Sequence, residues 1–463
     1  MDRRAFFHQT GHVGGLALAW MLHHEARADD PKPQLHFPAK AKRVIQIFCP
    51  GGVSQVDTFD YKPELAKRNG QPLGEKIDTF FAAPGNLFQS PFKFAQHGQC
   101  GQWVSEIFPH LAKRVDDLTF IHSMVAKSSN HTPAAFQMNT GFVLNGFPSL
   151  GSWLSYGLGS MNQDLPTFVV LPDPRGLPAG GSINWGNGFL PATHQGVAFR
   201  TTGDEPIHAL TTPKDVSPQA REASMTLLQQ MNTQFRDEVP GDSSLTARIR
   251  AYELAARMQT SIPETVKFSD EPERIQKLYG LDQKPTVAGF GRNCLLARRL
   301  VERGVRFVQI WHGGAFGSPR INWDGHEDVA LNHREQAGIL DQPLAALLTD
   351  LKQRDMLKDT LVLWTTEFGR TPITQGIGAK GRDHHPQVFT VWMAGAGLKP
   401  GFAYGKSDDV GYKPAEFPTS IYDFHATLLH LLGLDHTKLT YYHNGSKRRL
   451  TDVHGEVIED ILG

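Results

Sequence analysis

The chain has 463 residues, enough for one elaborated α/β domain or for two domains. Lys plus Arg and Asp plus Glu both number 47, so neither a basic field for nucleic acid nor an acidic tail is present. Histidine is abundant at 21, which favours metal binding or acid–base chemistry, while the three cysteines, Cys49, Cys100 and Cys294, show no CxxC spacing and exclude a zinc ribbon or a disulfide framework beyond one bridge.

The chain opens with "MDRRAFFHQTGHVGGLALAWMLHHEARADD". Arg3 and Arg4 followed by Ala5-Phe6-Phe7 match a twin-arginine export motif, Gly14 to Leu22 is a short apolar stretch, and Ala26-Arg27-Ala28 offers a cleavage site. Residues 1–28 are therefore expected to be an export signal that delivers residues 29–463 to the periplasm or the extracellular space. The apolar stretch is shorter than the ~20 residues that span a bilayer, so no stable membrane insertion is expected once the signal is removed.

After a Pro/Lys-rich lead-in, "RVIQIFC" (43–49) is β-branched, apolar and closed by Pro50-Gly51-Gly52, the pattern of a buried strand entering a turn. "LTFIHSM" (118–124), "TFVVLP" (167–172), "RFVQIW" (306–311), "LVLWTT" (361–366) and "VFTVWMA" (388–394) read the same way. Helical spacing of apolar residues covers 288–303, 334–353 and 420–432, with Gly304 and Gly433 as stops. Continuous apolar strands alternating with helices predict an α/β/α sandwich with a mostly parallel central sheet. Residues from about 142 to 285 read as an insertion, irregular and Gly/Pro/Asn/Trp-rich at first, then helical and charged.

In parallel sheets ligands collect beyond the carboxyl ends of the strands. Beyond 43–49 stand Ser54, Asp57 and Asp60, and beyond 118–124 stand Ser128, Ser129, Asn130 and His131 at a predicted helix start. Beyond 306–311 stand His312, Asp324, His326 and Asp328, and beyond 361–366 stand Glu367, Arg370, Asp383, His384 and His385. Singly, each has an ordinary use: Ser54 and Asp57 as helix caps, "WDGHED" as a solvated turn, Glu367 and Arg370 as an ion pair. Together they predict a site for one or two divalent ions, zinc, manganese or calcium. Two cations a few ångströms apart suit the attacking and leaving oxygens of a phosphate or sulfate ester.

The segments "GGVSQVDTFDYKP", "NHTPAAFQMNTG", "ARRLVERGVRFVQI", "WDGHED" and "EFGRTP…GRDHHP" resemble the DUF1501 family of exported bacterial proteins, in the same order from about residue 40 to 435. That resemblance places the chain in the alkaline phosphatase/sulfatase-like superfamily and implies its α/β/α fold and strand-end metal site. It implies Asp57, Asp324, His326, Glu367 and His384 as metal ligands, and the Ser128, Ser129 and His131 segment as the nucleophile loop. Arg370 would bind the anionic oxygens of a small-molecule or polysaccharide ester. The implied activity is metal-dependent hydrolysis; the alternative is a binding or assembly protein that kept the fold and lost the chemistry. Three departures stand out. Asp324 and His326 are one residue apart rather than three, which is expected to keep both from reaching one ion. Phe368 stands in place of a histidine. The Cys/Ser-x-Pro-x-Arg pattern of formylglycine sulfatases is absent.

Overall fold

The computed structural model describes residues 35–463 except 76, 78, 80–82, 201–216, 239–248, 250–252, 255, 256, 259–261, 263, 264 and 316–319. The expected export segment, and most of the charged helical stretch expected after residue 243, lie outside the described residues.

The central sheet contains β1 (Arg43–Phe48), β2 (Leu118–Val125), β3 (Phe168–Leu171), β4 (Val197–Ala198), β5 (Phe307–Trp311), β6 (Thr360–Thr365), β7 (Phe389–Ala394), β8 (Phe402–Tyr404) and β9 (Thr419–Ser420). Their spatial order is β8-β2-β7-β6-β1-β5-β3-β4, with β9 also pairing β2. All described pairings are parallel except those of β7 with its neighbours β2 and β6. The sheet is mixed and mostly parallel, as the apolar runs predict. β3 and β4 belong to it, so part of the stretch read as an insertion builds the main fold.

Helices cover both faces, so the strands are buried on both sides and need no polar alternation. Ile45, Ile47, Val308, Ile310, Val362 and Trp364 pack with α4 (Pro285–Glu302) and α5 (Val329–Gln353). Alternate residues Val44, Phe48, Phe307, Trp311, Leu361 and Leu363 pack with α1 (His131–Thr140), α2 (Leu150–Leu158) and α6 (Ile421–Leu431). The remaining long helix is α3 (Pro218–Glu238). Among the described residues no helix is long and apolar enough to cross a membrane.

Local signals fix where these helices begin. α6 has a capping box in which Ser420 and Asp423 bond reciprocally. Asp328 caps α5 by accepting from Leu331 N–H at 3.0 Å, so this member of the "WDGHED" cluster serves the helix start. α4 begins with Pro285, whose missing N–H costs nothing in the first turn.

Within the second core lies a chain of buried amides. Gln46 of β1 donates to Thr365 Oγ1 of β6 at 3.1 Å, and Gln309 of β5 donates to Gln46 Oε1 at 3.1 Å and to Asn139 Oδ1 of α1 at 2.7 Å. Trp311 Nε1–H closes the chain on Gln309 Oε1 at 3.2 Å. The register sets Phe48, Trp311 and Thr365 level across the sheet, so the segments leaving β1, β5 and β6 emerge side by side.

Candidate metal centre

Because β7 runs against the others, its beginning lies at the sheet edge where they end, with Phe389 opposite Met124. The segment entering β7 therefore reaches the same edge as the segments leaving β1, β2, β5 and β6. His384 and His385 form a two-stranded ribbon with Gly369 and Arg370 at this edge. The turn Pro50-Gly51-Gly52 passes beneath it, and glycine is required: Gly51 has φ +112°, and a Cβ there would lie 2.5 Å from Asp324 N and 2.6 Å from Trp323 N.

Four side chains converge here. His131, Asp324, His326 and His384 each offer a ligand atom, all within 4.8 Å of one another. Asp324 Oδ1 lies 3.3 Å from His131 Nε2, 2.9 Å from His326 Nε2 and 3.5 Å from His384 Nε2. The one-residue spacing of Asp324 and His326 does not keep them apart, a correction to the expectation above. The segment is a loop, free to turn both side chains inward.

Each imidazole is oriented by its other nitrogen. His131 Nδ1–H donates to Glu367 Oε1 at 2.7 Å, His384 Nδ1–H to the Ser129 carbonyl at 2.6 Å, and His326 Nδ1–H to Gln375 Oε1 at 2.5 Å. These bonds leave Nε2 as the lone-pair nitrogen on all three rings, the arrangement that outer partners impose on metal-binding histidines. The Nε2 atoms of His326 and His384 are only 2.8 Å apart. Two lone pairs at that distance repel unless a cation or a proton lies between them. Ligand atoms at about 2.1 Å from a common ion stand about 3.0–3.4 Å from one another, close to the 2.9–3.5 Å that separate Asp324 Oδ1 from the three Nε2 atoms. The residues fit a divalent ion.

The charges agree. Burial alone would raise the Asp324 carboxyl, but the Arg370 guanidinium first, and the imidazoles of His131, His326 and His384 around it, hold it far below the usual carboxylate range. Burial pushes His384 down to about 2, which keeps its ring neutral. Burial also opposes charge on His131, yet its bonds to Asp324 and Glu367 raise its affinity for a proton overall.

The remaining expected site residues are placed differently. Glu367, expected as a ligand, accepts from Gly51 N–H at 2.7 Å as well as from His131, and so supports the cluster from behind. Asp57, also expected as a ligand, is wholly buried against Arg382, with Oδ2 2.7 Å from Nε and Oδ1 3.1 Å from Nη2, and it accepts from Ser54 Oγ at 2.6 Å. Arg370, expected to meet substrate oxygens, is wholly buried and donates to Gly52 O at 2.9 Å, to Arg382 O at 3.0 Å, to Gly51 O and to Asp324 Oδ1. Ser128 closes a turn on Asn130 through its hydroxyl, and Ser129 enters the site through its carbonyl. His131, expected in the nucleophile loop, is one of the four converging residues. Phe368 fills the place of the missing histidine by packing, its ring centroid 4.9 Å from that of His131 and 4.8 Å from that of His384.

Sequence reasoning missed Arg382, Gln375 and Arg320. Arg320 is partly exposed, pairs with Asp324 Oδ2, and reaches Glu327 at 2.8 Å. Arg382 stands inside "GRDHHP", beside the paired histidines, and that adjacency was the available signal. Beside His131 and Glu367 lies a small recess walled by Pro50, Pro178, Ala179 and Trp311.

The fold and site thus define a mixed α/β protein with a three-histidine, one-aspartate candidate metal centre at the carboxyl edge of its sheet. The chain belongs to the DUF1501 family, described as a protein of unknown function, whose model matches residues 41–462. No curated protein matches it by sequence. Among solved structures it is similar to the PsFucS1 sulfatase from Pseudoalteromonas sp., at 13% identity over 85% of this chain and 68% of that one, with a TM-score of 0.36. It is similar to the C-terminal periplasmic domain of EcEptC from Escherichia coli in complex with zinc, at 10% identity over 88% of each chain, with a TM-score of 0.37. It is also similar to a TAB5 alkaline phosphatase mutant with magnesium bound, at 10% identity over 87% of this chain and 100% of that one, with a TM-score of 0.36. Scores of this size leave the chemistry to be argued from this chain's own residues.

Proposed function

We propose that this protein is an exported, metal-dependent hydrolase of phosphate or sulfate esters, with small-molecule or polysaccharide esters as its substrates. The observation that carries the reading is the convergence of His131, Asp324, His326 and His384, with all three Nδ1–H groups anchored so that the Nε2 atoms face one another. Three imidazoles and one carboxylate suit zinc or manganese better than calcium, which prefers an all-oxygen shell. When bound, such an ion supplies Lewis-acid polarisation of the ester oxygens. The chain's own contributions surround it. The Glu367–His131 hydrogen bond fixes the ring so that Nε2 faces the ion, and the partly exposed Arg320 guanidinium offers planar donors to an anionic group.

A second reading, a binding or assembly protein, is favoured by one observation: four protein donors are the number that closes a tetrahedral shell. The deciding experiment purifies residues 29–463 without chelator and measures metal content and turnover on a panel of phosphate and sulfate esters, beside His384→Ala. Bound metal with ester turnover, both lost in His384→Ala, supports the hydrolase. Bound metal without turnover on any ester favours the scaffold, and no metal uptake from zinc or manganese overturns the hydrolase and leaves the scaffold. Export is tested by fractionating cells that express the full chain or the Arg3→Lys/Arg4→Lys variant. Retention of the variant in the cytoplasm is expected, and equal export of both overturns a twin-arginine route.

A further inference from the structure

The strand-end edge brings together four deeply buried carboxylates, Asp57, Asp324, Glu367 and Asp383, each at most 2% exposed, the last accepting from the His384 N–H at 2.8 Å. A second divalent ion would need some of them, because hard cations and two-metal sites draw on carboxylates that bridge or flank the ions. Every one already has a partner from the protein. Asp57 is held through both oxygens by Arg382, whose Nη2 also donates to Phe88 O at 2.9 Å. Glu367 takes the Gly51 N–H and the His131 Nδ1–H. Asp324 turns Oδ2 to Arg320 and Oδ1 to the histidines and Arg370.

Arg370 is the unusual member. Its side chain is 0% exposed, and its Nε, Nη1 and Nη2 are all engaged, by three backbone carbonyls, Asp324 and, at 3.4 Å, His326 Nε2. A guanidinium cannot lose its proton in a protein, so this is a permanent internal cation. It lies on the Gly51-Gly52 turn, beside the carboxylate that the histidines share. We propose that Arg370 stands where a second cation would sit. The centre then holds one ion per chain, and Arg370 positions Asp324 for it without touching substrate.

This rests on the metal reading above, and the test separates the two. The mature protein is stripped with chelator, dialysed against manganese(II), and examined by elemental analysis and electron paramagnetic resonance. One retained ion with the six-line spectrum of an isolated manganese is expected. Two retained ions with an exchange-coupled spectrum overturn this proposal and leave the metal reading intact, whereas no retained ion overturns both. Arg370→Met should weaken manganese affinity by roughly 10- to 100-fold, the usual cost of losing a partner of a metal ligand. Arg370→Lys, which restores the charge but not the planar fork, should recover part of that loss. A well-folded Arg370→Met that binds as tightly as the parent overturns the positioning role. If Arg370→Met does not fold, Arg370→Lys and the parent stoichiometry carry the test, and an Arg370→Lys variant that binds manganese as tightly as the parent overturns the positioning role.

Discussion

The Asp57–Arg382 pair separates two roles for one carboxylate. Both side chains are 0% exposed, and the aspartate accepts two bonds from the guanidinium and one from Ser54. Burial alone would raise the Asp57 carboxyl, but the nearby charge and bonds of Arg382 lower it below its ordinary value. Asp57→Ala would leave the Arg382 charge buried, with only the carbonyls of Thr371 and Phe88 as acceptors. Losing one partner of a buried pair costs about 3–5 kcal/mol, a large share of the ~5–15 kcal/mol that stabilises a typical fold. Urea unfolding of Asp57→Ala should therefore shift by about that amount, while the folded fraction keeps its metal. The double variant Asp57→Leu/Arg382→Met should recover much of the loss, because a buried pair replaced as a unit is often neutral. A variant with parental stability and no bound metal would refute the reasoning and make Asp57 a ligand.

Further outcomes follow from other contacts. Glu367→Gln keeps an acceptor near His131 but removes the charge, so metal affinity should fall by roughly 10- to 100-fold rather than vanish, as read by competition with a chromophoric chelator. Burial depresses His333 to about 3 and His425 to about 4. As pH falls below about 6.5 the unfolded chain takes up protons that these folded histidines refuse, so each should cost on the order of 2 kcal/mol of stability by pH 5. Urea midpoints that do not move between pH 7 and pH 5 would contradict this. Cys100 is exposed, whereas Cys49 and Cys294 are buried and their thiols are pushed up by burial. A thiol reagent should titrate one cysteine in the native protein and three after denaturation without reductant.

The sheet was legible because its strands are continuous apolar runs between turn residues, a pattern that survives without partners. The residues gathered at its edge were legible for the same reason: once the strand ends are known, His131, Asp324, His326 and His384 follow them. The direction of β7 was not legible, since an apolar run reads alike from either end, and only pairing shows that His384 reaches the edge by preceding its strand. Nor could sequence assign partners among charges. Whether a buried carboxylate meets an ion or an arginine depends on chain segments hundreds of residues apart, as with Asp57 and Arg382, separated by 325 positions. Arg370 looked like an anion receptor because arginine often is one, and only its burial and its five internal acceptors show it facing inward.

The amide chain through Gln46, Gln309, Asn139 and Thr365 bears on how the edge keeps its alignment. Strands apolar on both faces lack the inside–outside alternation that would penalise a slipped pairing. A one-residue slip of β1 would instead carry Gln46 to the opposite layer and strand several amide groups without partners, at about 1–3 kcal/mol apiece. These few polar atoms act as a key in the sheet, holding the ends of β1, β5 and β6 level. Apolar substitutions there should leave the protein folded yet let the loops that carry Gly51, Asp324 and Glu367 drift out of step.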